Sequence, residues 1–205
     1  MKRRARVILT ICVLLFLTIL PAWGQMPQPF SADYSTTPAT GAEKVVGKMY
    51  FSMPKMRMDA NARGQSVATI IDSTAHVMYM IMPAQHMYME IDMSQASPMM
   101  ARAPKAPTAF DPNHPCAPDA TCKKVSVETV NGRACDKWVT TSKAGTSTAW
   151  IDQKLFFPIK TIGAGGETFE LTNLKEGKPD ASVFEVPAGY RKMELPAMGG
   201  SRPPQ

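Results

Sequence analysis

The 205-residue sequence is short of the residue types that carry most enzyme chemistry. It has three histidines, four cysteines and only 8% aromatic residues. The histidines, His76, His86 and His114, are scattered, and none sits in a nucleophile, metal-protease or acid–base motif. The cysteines form neither a CxxC redox pair nor a four-ligand zinc spacing. Gly163-Ala164-Gly165-Gly166 lacks the Lys-Ser/Thr and following helix of a phosphate loop, so it reads as a hairpin connection. No basic stripe is clustered along the chain, which removes the electrostatic footprint of a nucleic-acid binder. Fixed-period repeats are also missing. The longest apolar run, Val7 to Leu20, falls short of the roughly 20 residues of a membrane-spanning helix.

That run has another reading. Lys2, Arg3, Arg4 and Arg6 precede it, and Ala22-Trp23-Gly24 follows with small residues where a signal peptidase reads. Residues 1–24 are therefore expected to be a secretory signal peptide cleaved between Gly24 and Gln25. The mature chain would carry no transmembrane segment and would be exported to the periplasm. Cys12 follows Ile11 and precedes more apolar sequence, which does not suit a lipidation site. Four of the 23 Lys and Arg lie in this leader, leaving 19 against 17 acids, so the mature charge is about +2 rather than +6.

What remains has the alternation of β-strands. Phe30 to Thr36 reads as a first strand, and Val45 to Met93 as a meander broken at Pro54, Ser73-Thr74 and Pro83-Ala84-Gln85. In Val77 to Met82, Met78, Met80 and Met82 share one face, opposite Val77, Tyr79 and Ile81. Met87, Met89 and Ile91 likewise share a face, opposed by His86, Tyr88 and Glu90. Residues 94–121 contain Pro98, Pro104, Pro107, Pro112 and Pro115 and form no central strand. A short helix over Gln95 to Arg102 is compatible with the pattern, and the segment is a candidate lid. A second β half follows: the hairpin Lys124–Val130 and Arg133–Thr140 around Asn131-Gly132, then Thr146–Asp152, Phe156–Ile162 and Glu167–Leu174. Pro179 to Phe184 reads as one helical turn. The expected domain is a single unit over 25–193, with 194–205 a disordered tail.

Three cysteines remain after the leader, so one stays unpaired within the chain. In the Asn-Gly register Cys135 faces Glu128, and Cys122 lies six residues further from the turn. At about 3.3 Å per residue that is roughly 20 Å, beyond disulfide reach. Cys116–Cys122 is the expected disulfide, with Cys116–Cys135 as the alternative.

The order of these pieces resembles a family. Gly47-Lys48-Met49-Tyr50, Pro54-Lys55-Met56-Arg57-Met58-Asp59 and Ile70-Ile71-Asp72 are followed by an aromatic strand. Later come Trp150-Ile151-Asp152, Phe157-Pro158-Ile159-Lys160, Glu170-Leu171-Thr172-Asn173-Leu174 and Phe184-Glu185-Val186-Pro187-Ala188-Gly189-Tyr190. Across Phe30 to Lys192 the chain is similar to the LolA-like superfamily of periplasmic lipoprotein carriers, as an exported branch distinct from the carrier proper. The resemblance implies a mainly β fold, an incomplete, strongly curved antiparallel barrel of about ten strands with little helix. It also implies a concave apolar face that holds acyl chains in several members. The carrier proper has an Arg before the Pro that ends its second strand; here that position is Met53. The carrier's N-terminal helix has no counterpart either.

Ten of the 16 methionines lie between Met49 and Met93. Unbranched thioethers adapt to variable apolar shapes. The candidate ligand-binding face is therefore Met49, Phe51, Met78, Met80, Met82, Met87, Met89 and Trp150, and the ligand class is a lipid or acylated protein. Ordinary core packing would also justify many of these methionines, since each burial contributes about 1.5–3 kcal/mol. A second reading is a filled barrel that contacts an envelope protein partner through its rim. A third is a Cu(I) site built from Met78, Met80, Met82, Met87, Met89, His76 and His86, although His86 falls opposite Met87 and Met89. Arg57 and Asp59 read as a solvated pair on one strand face. Neither a catalytic constellation nor a cofactor motif can be assembled.

Overall fold

A computed structural model of the chain describes residues 26–62, 64–94 and 120–193. The leader with Gly24 and Gln25, most of the candidate lid with Cys116 and His114, and the tail lie outside the described residues. Among the described residues twelve strands are present where about ten were expected. The first group is β1 (Phe30–Thr37), β2 (Val45–Ser52), β3 (Lys55–Ala62), β4 (Gln65–Asp72), β5 (Val77–Met82) and β6 (Met87–Asp92). The second is β7 (Thr121–Val130), β8 (Arg133–Ser142), β9 (Gly145–Asp152), β10 (Pro158–Ile162), β11 (Thr168–Glu176) and β12 (Arg191–Lys192).

All twelve form one curved, non-closed sheet in the order β12-β6-β5-β4-β3-β2-β1-β11-β10-β9-β8-β7. The two sequence halves are separate meanders, and β1 joins them by pairing antiparallel with β11. Every pairing is antiparallel except β12 with β6. A single open, curved antiparallel sheet with little helix is the half-barrel that was expected.

Local chemistry sets the turns. Asn131 and Gly132 take φ of 50° and 76°, the left-handed pair that a two-residue hairpin needs. Asp72 closes the β4–β5 turn, its carboxylate accepting from the backbone N of Thr74 and Ala75, each at 3.0 Å. At Gly47 a Cβ would stand 1.8 Å from the Asp59 carbonyl oxygen and 2.7 Å from Tyr34 Cε1, so only glycine lets β1, β2 and β3 pack there.

The strand expected over Phe156–Ile162 begins only at Pro158. Asp152 is the cause. Its carboxylate accepts from the N–H of Lys154 and Leu155, and its carbonyl from Phe156 N, so the chain turns before it can extend. Phe156 takes φ 53° in that turn, and Leu155 is driven into the core. The turn expected near Pro179 is a 3-10 helix over Ala181–Phe184, capped by the Asp180 side chain.

The main core lies where the sheet curls on itself. Phe157 packs edge-on against Phe30 and tilted against Phe51, with ring centroids 4.9 and 5.1 Å away. Leu155, Ile159, Leu171 and Met49 are wholly buried around them. A smaller cluster sits elsewhere: Ala68, Ile70 and Ile81, covered by Tyr79, Tyr88, Val186 and Tyr190.

Candidate functional site

The strand register assembles the methionines into rows. Residues directly opposite in an antiparallel pair share a face with Cβ atoms about 4.5–5.5 Å apart. One row runs Ala32, Met49, Met58, Thr69, Met80, Met89 across β1 to β6. The adjacent row runs Phe30, Phe51, Met56, Ile71, Met78, Ile91. Met82 and Met87 face each other beside the first row. The parity expected for β5 and β6 is thus the observed one, and eight methionines occupy one face of one sheet.

Burial changes along these rows. Met49 and Phe51 belong to the main core, at 0% and 7% exposure, with Met56 beside them. Met78, Met80, Met82, Met87 and Met89 are only partly buried. The opposite face of β4–β6 is sealed, because the C-terminal segment lays Val186 and Tyr190 over Tyr79 and Tyr88. Arg57 fastens that segment. It pairs with Asp59 at 2.6 Å and donates to the Val183 carbonyl at 2.8 Å. The pair read from the sequence is therefore also a strut between β3 and the 3-10 turn.

Trp150 lies on β9, across the sheet from β5 and β6 and their methionines, in the same buried cluster as Met49 and Phe51. It is buried in the second half, where Nε1 donates to Glu128 at 2.7 Å. Lys137 and Lys160 lie over its ring, 5.1 and 5.7 Å from the centroid. The Trp150 N–H, the Lys137 ammonium and the Ser126 hydroxyl hold the Glu128 carboxyl down at about 2. Sequence reasoning placed Glu128 opposite Cys135 and missed this cluster, because its members come from four strands and no local spacing links them.

Cys135 is a free thiol with no exposure, and burial pushes it up to about 11. The Cys116–Cys135 alternative is therefore not formed. Cys122 stands opposite Thr140, away from Cys135, as the hairpin register required. His76 and His86 are exposed turn residues in the left-handed region, and His86 lies 5.4 Å from the Tyr190 ring. Among the described residues no group of three or more His, Cys, Asp and Glu could hold a metal. A groove of about 500 Å³ opens on the side of β1 away from Phe30 and the methionines; Asp33, Lys48, Tyr50 and Asn173 line it.

The chain belongs to the family described as a domain of unknown function, DUF4412, whose model matches residues 35–156. No curated protein matches it. Among solved structures it is similar to an uncharacterized conserved protein from Thermus thermophilus, at 10% identity and TM-score 0.54, covering 82% of this chain and 90% of that one. It is also similar to the Pseudomonas aeruginosa MucA/MucB complex structure, at 14% identity and TM-score 0.54 over 77% of this chain. The match spans only 55% of that structure's chain. A LolA superfamily protein from Nitrosomonas europaea matches at 12% identity over 78% of this chain and 90% of that one, with a TM-score of 0.35 that is too low to add to the assignment. At these identities the first two likenesses show the fold alone.

Proposed function

We propose that the protein is an exported, non-enzymatic envelope protein that binds an apolar ligand, a lipid or acylated protein, on its methionine face. The observation that carries this reading is the gradient along the rows. The same face is sealed core at Met49 and Phe51 and a partly open platform at Met78, Met80, Met82, Met87 and Met89. An acyl chain laid over the platform would extend the core outward, gaining about 0.8 kcal/mol per methylene removed from water before ordering costs. Shape rather than hydrogen bonding would set specificity. Under this reading the leader is cleaved between Gly24 and Gln25, and Cys116–Cys122 forms in the oxidising compartment. The free, buried state of Cys135 is consistent with that pairing.

A protein partner is the second reading, favoured by the fold likeness to the Pseudomonas aeruginosa MucA/MucB complex structure. Native mass spectrometry of the protein purified from its exported compartment, followed by lipid extraction and metal analysis, separates the readings. Bound lipid is the expected result. A clean unliganded mass with no uptake of a fluorescent fatty acid would sink the ligand reading, and stoichiometric copper would replace it with the Met/His site. In the paired variant Met80→Gln/Met89→Gln, fatty-acid binding should weaken about tenfold or more while thermal stability moves by only a few degrees. The reverse pattern, large destabilisation with unchanged binding, would mark the methionines as plain core.

A further inference from the structure

The methionines differ in what a dissolved oxidant can reach. Met49 and Met56 lie in the main core, at 0% and 8% exposure. Met78, Met80, Met82, Met87 and Met89 are partly exposed on the platform. The strand register sets Met80 opposite Met89 and Met82 opposite Met87, with Met78 two residues along β5 from Met80. Five thioethers therefore lie side by side towards one end of the sheet. Met26 and Met53 are more open still, at 61% and 39%, but both stand off the platform, before β1 and in the β2–β3 turn. Cys135, a competing sulfur, has no exposure.

β5 and β6 do not rely on the methionine face to stay folded. They pair with each other along their whole length, and β5 pairs with β4. On the reverse face the rings of Tyr79 and Tyr88 lie 6.1 Å apart, under Val186 and Tyr190. The outer edge of β6 is held by the C-terminal segment: Arg191 N donates to the His86 carbonyl at 2.9 Å and Met193 N to the Tyr88 carbonyl at 2.7 Å. A polar atom added to the platform therefore meets water and leaves the hairpin standing. The same atom added to Met49 would sit in the cluster of Phe30, Phe51 and Phe157, where burial without a partner is costly.

We infer that the platform is a reversible oxidation site, and that its oxidation releases the apolar ligand. This rests on the ligand reading proposed above and names its regulation. The oxidant class is a peroxide. A thioether lone pair attacks one peroxide oxygen, the O–O bond breaks and an S–O bond forms. Hydroxide leaves and takes the proton of the transferred oxygen, giving sulfoxide and water. Sulfur loses two electrons and the peroxide gains them. Each sulfoxide replaces an adaptable apolar contact with a polar oxygen. An acyl chain laid over it would strip that oxygen of water, so affinity falls. The facing pairs Met80–Met89 and Met82–Met87 bring several such oxygens under one chain. Two thiols of a sulfoxide reductase reverse the step, removing the oxygen as water and forming a disulfide.

Graded treatment of the purified protein with hydrogen peroxide, followed by peptide mapping, fluorescent fatty-acid titration and thermal melts, is the test. The expected product carries sulfoxide at Met78, Met80, Met82, Met87 and Met89 and intact thioether at Met49 and Met56. Its fatty-acid affinity should be weaker by about tenfold or more, with Tm moved by only a few degrees. A pair of methionine sulfoxide reductases, one for each epimer, should restore the affinity. Met26→Leu/Met53→Leu should bind before treatment and lose affinity after it, as the wild-type protein does. Platform sulfoxides with unchanged affinity would overturn the proposal and leave the ligand reading standing. The proposal is also overturned by sulfoxide at Met49 and Met56 at the same dose, or by a Met26→Leu/Met53→Leu protein that keeps its affinity under peroxide. Untreated protein that takes up no fatty acid would sink the ligand reading itself, and this proposal with it.

Discussion

Replacing Asp152 by alanine should destabilise the fold more than any other single acid-to-alanine change among the described residues. Asp152 has 1% exposure and accepts four hydrogen bonds. Arg133 supplies two, from Nε and, at 3.2 Å, from a terminal nitrogen. The backbone N of Lys154 and Leu155 supply the others, at 2.8 and 2.7 Å. Removing one partner of a buried ion pair costs about 3–5 kcal/mol. Arg133 keeps Glu176 at 2.9 Å and is partly exposed, so it is not left stranded and the lower end of that range applies. For a domain of this size about 3 kcal/mol lowers Tm by roughly 6–12 °C. The pH dependence has a definite sign. Burial alone would raise the Asp152 pKa, but the Arg133 guanidinium and the two N–H groups together hold it below its model-compound value of 3.8. The ionised carboxylate's contribution is thus fully present above that value and is lost as pH falls through the lower folded pKa. Thermal melts followed by circular dichroism should show the full gap between wild type and Asp152→Ala at pH 7 and a clearly smaller one at pH 2. A Tm loss under 2 °C at pH 7, or a gap unchanged at pH 2, would refute the reasoning.

Gly47→Ala should destabilise by about 1–3 kcal/mol or more, since the new methyl collides with the Asp59 carbonyl and the Tyr34 ring; a Tm within 1 °C of wild type would show that β2 can shift freely. Tryptophan fluorescence in a Trp138→Phe background should titrate with Glu128 near pH 2 and not near the ordinary 4.5, because the ion pair and the Trp150 bond persist until Glu128 protonates. A midpoint at 4 or above would mean that the Glu128–Trp150 bond is not held in solution. Cys135 should resist iodoacetamide at pH 8 in the native protein and react readily in urea, its thiol being buried and raised to about 11; mass spectrometry that found Cys135 alkylated without denaturant would show that the core opens there.

Alternation made the parity of β5 and β6 legible in the residues alone, because a period-two pattern fixes the face of every side chain once one is known. Asn131-Gly132 fixed a hairpin register that placed Cys135 opposite Glu128. The rest depended on interactions that local pattern does not encode. Bulges at Ser31/Asp33, Lys124/Ser126 and Pro158/Lys160 shift registers without a distinctive composition. β12 is two residues long and has no periodicity to read. The early turn at Leu155-Phe156 reflects a carboxylate competing for backbone N–H groups within an otherwise strand-like run. At the candidate site the sequence distinguished the methionine face but not its gradient, since burial depends on which part of the sheet curls over. Trp150 went to a Glu–Lys cluster because its partners are distant in the chain.

The pairing of β1 with β11 makes eleven of the twelve strands a circular permutation of an up-and-down meander. Read from β7 through β11 and on from β1 to β6, they would follow one another in strict order, with β12 added in parallel beside β6. The natural connectivity breaks that order at the seam, where Phe30 must find Glu176, and again where β12 crosses back to β6. Each half can zip from its own hairpins, but the seam must wait for the chain to close a very large loop. Contacts of such sequence separation slow folding. The seam is therefore expected to form after the hairpins of each half and to slow folding.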